Sequence, residues 1–174
     1  AVEIDRMAAL RPHHLRIDLL PDAPDAESAL RRATEEAHAL GIGLELAIFL
    51  GDRVDAELDQ LHTLLTHLRP PIATWLVFPR TESFWGGSPT HTVVEAARPV
   101  LKAYADAPLG SGTNADFIFM QRNLPPLDAV DLLAYAVNPQ VHAFDNLSLM
   151  ETLACQAATV RSAQRLGEGI PVFV

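Results

Sequence analysis

The chain has 174 residues, 49% of them hydrophobic and 20% charged, with a formal net charge of −9 and a single cysteine. That size suits one globular domain. The acidity argues against a nucleic-acid surface, and no apolar run is long enough to span a bilayer or arranged like a signal peptide.

Val2 to Leu10 is predicted to be helical, with Ile4, Met7 and Leu10 on one stripe. His14 to Leu19 follows as a strand in which Leu15, Ile17 and Leu19 face one way and Arg16 and Asp18 the other. After Pro21 and Pro24, Asp25 is expected to cap a helix whose apolar face is Ala26, Leu30, Ala33, Ala37 and Leu40, and Gly41 ends it. Ile42 to Leu50 is the next strand, with Leu44, Leu46 and Ile48 on one face and Glu45 on the opposite one. Asp52 then caps a helix carrying Val54, Leu58, Leu61, Leu65 and Leu68, which Pro70 and Pro71 stop. Ile72 to Phe78 forms a third strand that closes on Pro79, Arg80, Thr81 and Glu82.

A loop with Phe84 and Trp85 leads to a helix from Thr92 to Tyr104, which Pro99 kinks or begins. Pro108 to Thr113 is a glycine-rich strand, followed by a polar cluster of Asn114, Asp116, Arg122 and Asn123. Leu132 to Val137 is the fifth strand; it breaks at Asn138-Pro139 and crosses a loop with His142 and Asp145. A helix runs from Leu147 to Leu166, with Leu149, Leu153, Ala157, Val160 and Ala163 inward. Asp145 or Asn146 can cap it, and Ser148 with Glu151 has capping-box spacing. Ile170 to Val174 is the sixth strand.

Strands alternating with helices, and no hairpin signal between them, imply parallel pairing through helical crossovers. An open doubly wound sheet would press Arg16, Asp18 and Glu45 against apolar helices, at several kcal/mol each unless paired. A barrel lets them meet inside as an ion-pair network or line a wet pocket. The expected fold is therefore α/β, a partial (β/α)8 TIM barrel of about six parallel strands with alternating helices. A start without Met and an end on the apolar run IPVFV lead to the expectation of one incomplete domain, excised from a larger multidomain protein.

In such a barrel the functional face collects the strand C-termini. His142 titrates near neutrality and is the first candidate for acid-base work, with Asp116 and Glu82 as carboxylates. Asn114, Asn138, Arg122 and Asp18 are candidates to bind a ligand, and Trp85 offers a ring for a sugar to stack on. Each has a plainer reading: His142 as a structural hydrogen bond, Asn114 to Asn123 as a solvated loop, Trp85 as rim packing, and Asp145, which could orient His142, as a cap. No tight ligand spacing joins His142, Asp116 and Asp18, so no metal or other cofactor is expected. Cys155 falls mid-helix and reads as packing; the lack of any disulfide fits a reducing cytoplasm.

The segments RPHHLRIDL (11–19), GSGTNADFIFMQRNLPP (110–126) and YAVNPQVHAFDNLSLMETLACQAATVRSAQRLGEGIPV (135–172) resemble the central TIM-barrel domain of bacterial D-apionate lactonases. The resemblance implies a barrel like that of glycoside hydrolases, and a cytoplasmic role in carbohydrate catabolism. The partners it implies are a small-molecule carbohydrate or sugar-acid lactone and the missing segments of the parent chain; charge and hydropathy add the expectation of no nucleic acid and no membrane. It carries no catalytic assignment onto a numbered residue. The expected function is hydrolysis of the carboxylic ester bond of a sugar lactone. The alternatives are a glycoside hydrolase with paired carboxylates, a sugar isomerase or epimerase, and a non-catalytic carbohydrate-binding barrel.

Overall fold

A computed structural model of the chain describes residues 2–80, 91–137 and 143–174. Apolar residues two apart build the strands β1 (His14–Leu19), β2 (Gly43–Leu50), β3 (Ile72–Pro79), β4 (Leu109–Gly112), β5 (Leu132–Ala134) and β6 (Val172–Phe173). Apolar residues three or four apart build the helices α1 (Val2–Leu10), α2 (Ala26–Leu40), α3 (Val54–Leu68), α4 (His91–Tyr104), α5 (Phe117–Arg122) and α6 (Asn146–Leu166). The strands form one parallel sheet in the order β1-β2-β3-β4-β5-β6. Each new strand is added beside its predecessor, as in a barrel; a doubly wound sheet reverses direction partway.

The sheet curls into part of a TIM barrel. Neighbouring strands lie about 4.8 Å apart, so a flat sheet would hold β1 and β6 about 24 Å from each other. Instead, His14 and Arg16 of β1 line the same cavity of about 420 Å³ as Phe173 and Val174.

Alternation along the strands separates two apolar layers. The outer layer sets Leu44, Leu46, Ile48, Trp75, Val77 and Leu109 against Leu30, Leu58, Leu61, Leu65 and Leu101 of the helices, all of them buried. Burying each leucine there stabilises the fold by about 1.5–3 kcal/mol. The Trp75 indole N–H donates to the Ala105 carbonyl at 3.2 Å, so this large side chain is buried without a polar loss. The inner layer is smaller: Ala47, Leu76, Phe78, Leu132 and Ala134, with Phe49 and Phe173 against it.

Several local expectations are corrected. Asp25 occupies the N-cap of α2, but its side chain makes no capping bond. The N-cap of α3 is Arg53 and not Asp52. Arg69 ends α3 in the left-handed region, the proline after it disfavouring a further right-handed turn. Pro99 lies inside α4, so it does not begin that helix. Leu10 is 81% exposed and belongs to no buried stripe.

The end strands are shorter than expected. β5 stops at Ala134 because its partner β6 offers only two residues, and beyond it Tyr135 and Ala136 donate to Phe173 and Ala115 outside the ladder. In α6, Leu153 and Ala157 face outward. The Tyr135 hydroxyl meets Thr159 Oγ1 at 2.8 Å and Ala163 is buried, which turns the stripe of Thr152, Gln156, Thr159, Ala163 and Leu166 toward the sheet.

Candidate functional site

Parallel strands with a common direction bring their C-terminal ends to one mouth, and the register shows which side chains line the inner wall below it. Arg16 stands opposite Glu45, Asp18 opposite Ala47, and Ala47 opposite Leu76. The β1 and β2 part of the wall is charged, Thr74 stands beside Glu45 on β3, and the rest of the wall is apolar or glycine.

Arg16 organises that charged part. Its Nε donates to Asp18 Oδ1 at 2.8 Å and its Nη2 donates to Asn114 Oδ1 at 2.8 Å. Nη1 lies 3.7 Å from Glu45 Oε1, and the guanidinium carbon sits 5.7 Å from the centre of the Phe78 ring. Glu45 in turn has its other oxygen 3.6 Å from His14 Nε2. The interior network expected for Arg16, Asp18 and Glu45 is formed, and it extends across the wall to Asn114.

Asn114 follows β4 on a backbone held from both sides. The Thr113 amide donates to the Ala134 carbonyl at 3.0 Å, the Ala115 amide to Thr113 Oγ1 at 3.0 Å, and the Ala136 amide to the Ala115 carbonyl at 2.7 Å. Two residues on, Asp116 caps α5. Its Oδ1 accepts from the Ile118 and Phe119 amides at 3.0 and 3.2 Å, while Oδ2 has no partner among the described residues. The segment is thus a short helix and not the solvated loop of the plainer reading. Arg122 lies in its last turn and is exposed, about 9 Å along the axis from the cap at 1.5 Å per residue. Asn114, Asp116 and Asp18 therefore share the mouth, and the Arg122 backbone lies further along α5.

Glu82, Trp85, Asn138 and His142 lie outside the described residues, as does Phe84. Asp145 takes the capping role: its Oδ1 accepts from the Ser148 amide at 2.9 Å and its Oδ2 from the Ser148 hydroxyl at 2.7 Å. Those bonds hold the Asp145 carboxyl below the usual carboxylate range. Ser148 thus sits in the first turn of α6 and caps nothing, and the Ser148–Glu151 box does not form.

A second ionic group at the same end was missed in the sequence. Arg80, directly after β3, makes a two-pronged pair with Asp22 of the β1–α2 turn, and Arg53 joins Asp22 at 3.3 Å. Hydrogen bonds from Arg80 hold Asp22 below the usual range, and the same pairing raises Arg80. Beside it the buried Glu57 accepts from the Gly51 amide at 2.7 Å. The available signal was position, since Arg80 ends a strand at the functional face. Together these bonds tie the loops after β1, β2 and β3.

No cluster of three or more His, Cys, Asp or Glu side chains is placed to hold a metal ion among the described residues. No helix among them is long and apolar enough to cross a membrane. What the mouth offers chemically is a fixed guanidinium, an exposed amide and two carboxylates, a set suited to hydroxyls and a polarised carbonyl.

Comparison with known proteins adds a family. The model of the D-apionate lactonase TIM-barrel domain matches residues 1–174. A D-apionate lactonase of Brucella anthropi is 30% identical over 154 residues, an alignment that takes in 87% of this chain and 22% of that protein. The chain thus spans about a fifth of the length of that relative.

Proposed function

The chain belongs to the D-apionate lactonase family, as its TIM-barrel domain, and from that premise we propose that it is the catalytic barrel of an enzyme hydrolysing a sugar-acid lactone. The observation that carries the reading is the match along the whole chain to a lactonase barrel. The composition of the mouth supports it, because hydrolysis of a lactone asks for little more than an activated water and donors for the carbonyl oxygen.

In this reading the lactone carbonyl lies at the mouth beside Asn114. His142 takes a proton from water, with Glu82 and Asp116 as the other two candidate bases. The water oxygen adds to the carbonyl carbon, and the carbonyl oxygen becomes an oxyanion that N–H donors stabilise. The ring C–O bond then breaks, the departing ring oxygen takes the proton from the base, and a hydroxy acid results. Asp18, Asn138, Arg122 and Trp85 are the further contacts for the substrate's hydroxyls, carboxylate or ring face. No cofactor enters the scheme. Carbohydrate catabolism in the cytoplasm, within a longer chain that completes the barrel wall, is part of the same proposal.

The test is to assay the complete protein that carries this domain against a panel of sugar-acid lactones, following proton release at constant pH, with aryl glycosides as the contrasting class. Lactone opening without glycoside cleavage is expected. Glycoside cleavage alone would transfer the site to the paired-carboxylate reading, and a divalent metal found in the purified protein, with neither activity, would favour an isomerase.

A further inference from the structure

We infer that Arg16 is a positioning residue for lactone opening, fixing Asn114 so that its amide N–H groups face the mouth as donors to the carbonyl oxygen. The inference rests on the lactonase reading and assigns a role within it to a residue on the opposite side of the wall. A guanidinium has only donors, so a contact with it dictates which way an amide is turned. At 2.8 Å from Arg16 Nη2 the Asn114 side chain must present its oxygen, and its NH2 group faces away. That NH2 group has no partner among the described residues, and the side chain is exposed at the mouth.

Both halves of the pair are held still, as a preorganised donor requires. On Asn114 the restraint is the backbone clamp through Thr113, Ala115 and their partners on the β5 side. On Arg16 it is the 2.8 Å bond to Asp18, the nearby Glu45 carboxylate and the Phe78 ring below the guanidinium plane. Arg16 spans two directions with one planar group, and a lysine ammonium has no such fork. The role also accounts for a charged residue in mid-strand: its neighbours on the inner wall balance it, and one of its Nη2 donors orients an amide.

The experiment measures kcat and KM for a sugar-acid lactone in the complete protein, with thermal midpoints as the control for folding. Asn114→Ala is expected to lower kcat about a hundredfold, the usual cost of one oxyanion donor. Asn114→Asp keeps an oxygen for Arg16 but has no N–H, and is expected to lose as much; wild-type kcat in this variant would overturn the inference. Arg16→Met is expected to lower kcat roughly tenfold or more with KM little changed, and to cost nothing further when Asn114 is already alanine. Independent, multiplying losses in the double variant would overturn it, since a purely structural Arg16 would act regardless of residue 114. Should Arg16→Met not fold, Arg16→Lys takes its place in the cycle with the same expectation. Absence of lactone opening in the wild type would remove the lactonase reading and this one together, whereas opening with additive losses would remove this one alone.

Discussion

Two ionic clusters stand at opposite ends of the barrel wall and differ in what they leave unused. At the strand starts Asp131 is saturated: Oδ1 accepts from Arg98 at 2.9 Å, and Oδ2 accepts from the Leu109 amide at 2.9 Å with Lys102 at 3.2 Å. Burial pushes against its ionisation, but the Leu109 amide, Arg98 and Lys102 together hold it below its ordinary value. At the mouth, among the described residues, the Arg16 cluster leaves the Asn114 N–H pair open, and Asp116 keeps one oxygen open. A saturated cluster staples β4, β5 and α4. An unsaturated one has capacity left for a ligand, and that difference separates scaffold from site more sharply than charge does.

Both clusters depend on the wall between them. A Cβ added at Gly112 would lie 2.0 Å from the Ala134 carbonyl oxygen, a backbone atom that cannot turn aside. Gly112→Ala should cost more than about 3 kcal/mol and take activity with it; urea unfolding would show the loss, and an unchanged midpoint would refute the packing. Next in size, His142→Ala should lower turnover about a hundredfold if His142 is the base, leaving the midpoint in place. An unaltered rate removes it from the mechanism.

The base cluster should respond in the opposite way. Asp131→Asn keeps the shape but gives up the charged hydrogen bonds, an expected loss of about 2 kcal/mol with kcat unchanged. The sign with pH follows from the lowered pKa. The pairing contributes above the ordinary carboxylate value of 3.8 and is lost as pH falls below it through the folded-state value. Unfolding midpoints measured downward from pH 5 should therefore fall more steeply in the wild type than in Asp131→Asn; parallel curves would show that Asp131 does not carry the staple.

Much of this was legible in the sequence. Strand and helix alternated plainly, the period of Leu58, Leu61 and Leu65 marked the buried face of α3, and Gly41 took the left-handed cap. Arg16, Asp18 and Glu45 drew notice because charge in mid-strand needs partners. What remained hidden was pairing at a distance. Arg16 and Asn114 are 98 residues apart, and Asp22 and Arg80 are 58 apart, so neither pair leaves a local trace. The helix α5 was hidden for another reason: six residues carry too little period to rise above a polar loop, and its cap Asp116 resembles any loop aspartate. The facing of α6 was misjudged at Leu153 and Ala157 because the helix meets the sheet along Thr159, which pairs with Tyr135, and Ala163.

Asp145 decides whether position or saturation is the better guide. It lies on the mouth side, between β5 and α6, within three residues of His142, so position alone would make it catalytic. Yet both its oxygens are committed to Ser148, as those of Asp131 are to their partners. If saturation governs, Asp145→Ala should behave like a lost helix cap, lowering stability by about 1 kcal/mol while kcat stays within about twofold. A serine in its place keeps a capping oxygen and should restore most of the stability. A tenfold fall in kcat for both variants, at unchanged unfolding midpoint, would instead tie Asp145 to the chemistry and show that a satisfied carboxylate at this mouth still takes part in it.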